Sequence, residues 1–189
     1  PGRLDLVQPA DGRVRVIARP HTDGRRGRGR SAAKPRPADL APMREVVIER
    51  AAGREFRVDA GGFWQVHRLA ADVLSAAVSR ALEVGDAFDA EAEHLDLYGG
   101  VGLFAAAIAA RGGASTRVTS VESDRRASEH AGESLAEWLG ARAETDRVDR
   151  FLRRLAASAN ASQRAKLSRG TVVLDPPRLD DSLNQYHEA

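Results

Sequence analysis

The chain has 189 residues, 42% of them hydrophobic and 30% charged, with 29 Lys+Arg against 27 Asp+Glu. That size and balance suit a folded α/β-sized domain with a small additional lobe and exclude a disordered or collagen-like chain. Cysteine is absent, which excludes disulfides, thiolate metal sites and a cysteine nucleophile within these residues. The longest apolar run, 101–110, is too short to span a bilayer. No charged-then-apolar leader pattern opens the sequence, so a cytoplasmic protein without membrane or metal partners is expected, and a monomer.

In chain order, residues 4–7 and 13–18 alternate apolar and polar around Pro9-Ala10-Asp11-Gly12, which predicts a hairpin. Residues 21–42 are rich in Gly, Pro and Arg and read as a basic loop suited to phosphate contact. Residues 45–50 and 54–58, joined through Ala51-Ala52-Gly53, predict a second hairpin. After Phe63-Trp64-Gln65-Val66-His67, apolar residues from Leu69 to Leu82 recur at three-and-four spacing, the pattern of an amphipathic helix broken at Gly85-Asp86.

From Leu95 the pattern becomes β/α. Strands are predicted at 95–98, 117–122, 141–145 and 171–174, and helices at 103–111, 125–139 and 148–157, with Gly140 as the stop of the second of these. Alternation of this kind implies a parallel, doubly wound sheet with ligands at the carboxyl ends of its strands. Only four such strands are present, so the sheet reads as unfinished and the chain as a fragment. The expected division is a β-rich region over 1–59 and a Rossmann-like domain over 60–189.

The stretch Leu95-Asp96-Leu97-Tyr98-Gly99-Gly100-Val101-Gly102-Leu103-Phe104 carries the chemistry. Three glycines within four residues turn the chain sharply and admit a ligand close to the main chain before a helix N-terminus. The run from Gly100 is G-x-G-x-x-A, and Glu122 lies twenty residues past Gly102. Both fit a dinucleotide site, but a ribose diol of S-adenosylmethionine (SAM) would use the same acid. Asp96 favours SAM, because a carboxylate beside the loop repels a pyrophosphate and attracts a sulfonium and an ammonium group. A glycine turn without ligand is the third reading. Asp175-Pro176-Pro177-Arg178 follows the last strand and holds a carboxylate rigidly at its end.

In this order, Phe63-Trp64-Gln65-Val66-His67, the Asp96–Phe104 loop, Val121-Glu122 and Leu174-Asp175-Pro176-Pro177-Arg178 resemble the RNA uridine-5 methyltransferases, class I SAM-dependent enzymes that make 5-methyluridine in tRNA and 23S ribosomal RNA. The resemblance covers residues 45–178. Beside the cofactor-binding Asp96, Gly100 and Gly102 of the loop, it implies SAM contacts at Gln65, Tyr98 and Leu103, a ribose contact at Glu122, a residue near the adenine at Asp146, and an aspartate near SAM and the target base at Asp175. The family's chemistry uses a cysteine adding to uracil C6 and a glutamate that removes the C5 proton, both beyond the Asp-Pro-Pro-Arg motif. This chain has neither, Leu179-Asp180-Asp181 departs from the usual continuation, and the family's RNA-binding barrel is not visible. The resemblance therefore implies a SAM- and RNA-binding segment that does not methylate alone, with Asp175 as an auxiliary. Methylation of an exocyclic base nitrogen, a non-catalytic SAM- or RNA-binding module and a nicotinamide-dependent oxidoreductase are the competing readings.

Overall fold

The computed structural model describes residues 3–19, 41–84 and 88–176. The basic segment to residue 40, the break at 85–86 and Pro177-Arg178 with the residues after them lie outside these ranges. The chain divides into two compact units, Pro1–Leu74 and Ser75–Ala189.

The first unit holds two antiparallel hairpins. β1 (Arg3–Val7) pairs with β2 (Arg15–Arg19), and β3 (Val46–Ala51) with β4 (Arg54–Asp59). The second is closed by Ala52-Gly53, both left-handed at φ +52° and +73°. Two such residues match the right-handed twist of the flanking strands, and the alanine carries the strain that a glycine would not. The Ala52 N–H donates to Asp72 Oδ1 at 2.7 Å. In the first hairpin Asp11 Oδ1 accepts the Arg13 N–H at 2.9 Å, the local bond that makes aspartate a turn residue. Helix α1 (Ala70–Glu83) matches the amphipathic stretch read from the sequence.

The second unit is a four-stranded parallel sheet of order β7-β6-β5-β8, formed by β5 (Glu93–Leu97), β6 (Arg117–Glu122), β7 (Ala141–Thr145) and β8 (Val172–Leu174). Helices α2 (Leu103–Gly112), α3 (Arg125–Ser134), α4 (Val148–Ser158) and α5 (Ala161–Leu167) connect the strands. This is the α/β, Rossmann-like arrangement expected of the repeating pattern. Strand alternation sorts the core. Leu95, Leu97 and Val121 pack with Val148 and Phe151 of α4, and Leu155 and Leu167 cover them. On the opposite face Asp96 meets the backbone of α2 at Ala105.

Two sequence expectations change. Helix α3 ends at Ser134, five residues before Leu139, and Gly140 is not its stop. A Cβ on Gly140 would lie 2.4 Å from Thr116 O and 2.5 Å from Ser115 O. Glycine is there because the chain passes tightly over the entry to β6, and buried Trp138 sits in the turn that brings it there. Tertiary packing thus outweighs the helix propensity of Ala136-Glu137. Helix α5 was not read from the sequence at all. Its signal was Asn160 with Gln163 three positions on, and Asn160 Oδ1 accepts the Gln163 N–H at 2.9 Å.

Candidate functional site

The order β7-β6-β5-β8 means that the chain crosses from one side of β5 to the other between β7 and β8. The crevice at the carboxyl ends of β5 and β8 is therefore the place where an open parallel sheet takes its ligand. Tyr98 through Gly102 follow β5 there, and Asp175 follows β8.

The three glycines serve different ends. A Cβ on Gly99 would fall 2.0 Å from Ser120 Oγ and 2.9 Å from Asp96 Oδ2, so this residue is small to let the loop lie on the strands beneath it. Its N–H donates to Val121 O at 3.1 Å. Gly100 has φ +54° and nothing within 4 Å of an added Cβ, so its backbone faces free space. Gly102, at φ +87°, precedes α2, and its Cβ would touch Ala131 of α3 at 3.3 Å. Tyr98 is left-handed too, at φ +65°. A bulky residue there is strained, and strain of this kind collects at sites of function. Its ring is partly exposed, whereas Leu103 is buried as the first residue of α2.

Asp96 has a task the sequence reading did not foresee. Gly102 has no side chain to cap α2, and Asp96 supplies the missing oxygen. Its Oδ2 accepts the Ala105 N–H at 2.9 Å and the Ser120 hydroxyl at 3.4 Å. The Asp96 side chain is fully buried, and Oδ1 has no hydrogen-bond partner. Burial, with smaller contributions from Asp175 and Glu122, pushes its carboxyl up to about 7, against the two hydrogen bonds that favour the anion.

Glu122 ends β6 and fastens the loop to the next turn. Oε2 accepts the Gly100 N–H at 3.1 Å, and Oε1 accepts the Asp124 N–H at 2.7 Å and the Ser123 hydroxyl at 3.1 Å. Asp124 in turn caps α3 by accepting the Ala127 N–H at 2.9 Å. Asp146, one strand further, is linked through its N–H to Glu122 O at 2.9 Å. Its carboxylate is covered by α4: it bonds the Arg150 guanidinium, accepts from Arg154 Nη1 at 2.5 Å and from the Arg147 N–H at 2.8 Å. Burial opposes ionisation of Asp146, but the bonds from Arg150 and Arg154 prevail and hold its carboxyl below the usual range. Asp175 is exposed at the end of β8, its N–H 3.5 Å from Leu97 O.

The structure thus gathers Asp96, Tyr98, Gly100, Gly102, Glu122 and Asp175 around one crevice edge, with Asp146 adjoining through Glu122. Leu103 lies beneath, in the core. Gln65 belongs to the first unit, where with Trp64, Val66 and Arg68 it lines a groove of about 540 Å³ between the two hairpins. Gly99 and Ser120 were missed as site residues; a glycine directly after a strand, opposite a serine on the neighbouring strand, was the available signal. No group of His, Cys, Asp and Glu able to hold a metal occurs among the described residues, and no described helix is long and apolar enough to cross a membrane.

No family model matches the chain. It is 43% identical over 137 residues to an uncharacterized RNA methyltransferase of Streptomyces avermitilis, covering 71% of this chain and 28% of that protein. A second, from Streptomyces coelicolor, is 42% identical over 137 residues, 71% of this chain and 27% of that one. One from Bifidobacterium longum is 38% identical over 128 residues, with 66% and 27% covered. Among solved structures, the Pyrococcus abyssi tRNA (uracil-54, C5)-methyltransferase in complex with S-adenosyl-L-homocysteine is 25% identical with a TM-score of 0.42, covering 54% of this chain and 24% of that one. M. jannaschii TYW2 in complex with AdoMet is 14% identical with a TM-score of 0.40, covering 53% and 42%. The chain spans 27–28% of the length of the curated relatives it matches, and over about two thirds of its own length it is similar to proteins named as RNA methyltransferases.

Proposed function

We propose that this chain is the SAM-binding segment of an RNA methyltransferase, and that the methyl acceptor is C5 of a uridine in tRNA or ribosomal RNA. One observation carries the cofactor reading: free space over Gly100 between an acid that underlies the loop, Asp96, and an acid that ends the next strand, Glu122. A pyrophosphate would meet the carboxylates of Glu122 and Asp175 there. SAM suits the donor set, and when bound it supplies an electrophilic methyl on a cationic sulfur.

Glu122 has two oxygens held by main-chain donors, which fixes the carboxylate to accept ribose hydroxyls with little loss of side-chain freedom. Tyr98 and the backbone of Gly100 form the wall on which the ligand lies. Asp175, exposed at the end of β8, stands where the acceptor base approaches. Gln65 would contact SAM, and the functional division into 1–59 and 60–189 belongs to the same proposal. The RNA part rests on similarity to proteins named RNA methyltransferases, and the C5 part on the resemblance of the Phe63–His67, loop and Asp175 motifs. Because the sequence has no cysteine, a nucleophile adding to uracil C6 would come from outside these 189 residues.

Calorimetry with SAM and with NAD tests the cofactor: SAM should bind and NAD should not, and the reverse result overturns the reading. For the acceptor, the measurement is tritium release from RNA labelled at uridine C5 by a protein carrying this segment. Methylation at C5 displaces that hydrogen, whereas methyl incorporation without tritium release sinks the C5 assignment.

A further inference from the structure

Asp96 combines three features. Its carboxylate is fully buried, Oδ2 receives both available donors, and Oδ1 receives none. The groups facing it come from each neighbouring element. β6 contributes the Ser120 hydroxyl and Glu122, β8 contributes Asp175, and α2 contributes the Ala105 N–H. The carboxylates of Asp175 and Glu122 both add to the cost of charging it. An ionised Oδ1 in that place would be a buried negative charge without a donor, whereas a neutral carboxyl costs far less.

We propose that Asp96 holds a proton in the ligand-free protein and releases it to solvent when a cationic ligand enters the crevice, so that ligand affinity rises with pH. The inference rests on the SAM reading of the site. A cation placed over Gly100 supplies the positive charge that the three carboxylates lack, and its field favours the ionised form of Asp96. The proton leaves as ligand binds, with no bond made or broken elsewhere. Asp96 does not touch the ligand; it is a positioning residue that tunes the field under the loop.

The sign follows from linkage. With the free-protein value raised to about 7, affinity should climb up to tenfold per pH unit below neutrality and level off above about pH 8. Calorimetry of SAM binding to the full chain, in buffers of different ionisation enthalpy at pH 6 and pH 8.5, counts the protons released. The wild type should release close to one more proton than Asp96→Asn at pH 6 and the same number at pH 8.5. The difference removes the titration of the ligand's own amino group. Ser120→Ala deletes one donor to the anion and should move the affinity midpoint to higher pH, and it keeps the test available if Asp96→Asn fails to fold. Binding with equal proton counts in wild type and Asp96→Asn, or an unmoved midpoint in Ser120→Ala, overturns the inference and leaves the SAM reading intact. No SAM binding at any pH overturns both.

Discussion

The two ends of β5 treat a buried titratable side chain in opposite ways. At the amino end His94 has both ring nitrogens engaged: Nδ1 accepts the Thr171 N–H at 3.0 Å, which leaves Nε2 to donate to Asp89 O at 3.1 Å, and Phe88 stacks on the ring at 4.7 Å. Two residues on, Asp96 is just as buried but only half satisfied. A satisfied polar group fixes structure, and an unsatisfied one stores free energy that a ligand can release. On the proposed reading, the amino end serves stability and the carboxyl end serves binding.

Substitutions at the two ends should separate these roles. The largest effect is expected at the glycines. Gly99→Ala sets a methyl 2.0 Å from Ser120 Oγ, and Gly170→Ala sets one 1.9 Å from Glu93 O. Each should cost about 1–3 kcal/mol or more in chemical denaturation. Only Gly99→Ala should also abolish SAM binding by the molecules that remain folded. If Gly170→Ala weakens binding as much, the division of labour is wrong. His94→Ala leaves the Thr171 N–H unpaired and a cavity under Phe88, at about 2–4 kcal/mol, with calorimetric affinity per folded molecule unchanged. Glu122→Gln shifts the balance toward binding: one main-chain donor left unpaired should cost only about 1 kcal/mol in denaturation, while SAM affinity falls by about ten- to a hundredfold, the range of a charge-assisted hydrogen bond.

The pH dependence of stability should show the same opposition. Burial lowers the His94 pKa below its usual 6.5, so its contribution is complete above pH 6.5 and declines as pH falls below it. Asp96 is raised from 3.8 to about 7. Its contribution is complete below pH 3.8 and is lost as pH rises through about 7. Asp96→Asn should therefore stabilise the ligand-free protein at pH 8 relative to pH 5, and urea midpoints at the two values check it. The smallest effect is expected in the turn of the second hairpin. Ala52→Gly relieves a left-handed alanine and should add about 0.5–1 kcal/mol, whereas strain at Tyr98 is relieved only at the expense of ligand affinity.

Much of this contrast was legible in the sequence, because it lies in local patterns. The strand at 117–122, the strand at 141–145 and the Ala52-Gly53 turn appear where alternation and turn chemistry put them. Gly100, Gly102 and Glu122 stand out by spacing, and Asp175 by the Asp-Pro-Pro-Arg run that follows the last strand. What could not be read depends on approaches between distant segments. Gly140 looked like a helix stop because its reason, the backbone at 115–116, is remote in sequence. Asp96 looked like a ligand-facing charge because its bond to Ala105 forms only once the helix has folded back over the strand. The ion pairs of Asp146 could not be read either, because Arg150 and Arg154 sit on the following helix.

The placement of β8 has a consequence for assembly. Leu95 is paired with Val172, and the Thr171 N–H reaches a histidine 77 residues earlier. On a growing polypeptide the loop, Glu122 and the β5–β6–β7 layer can form well before Asp175 leaves the ribosome. The crevice acquires its second wall last, after the slow closure that long-range parallel pairing requires. A nascent chain halted near residue 150 would then hold the glycine loop and its anchoring acids while lacking the strand that carries Asp175. The order of synthesis alone would bring Asp175 to the glycine loop only after β8 has joined β5.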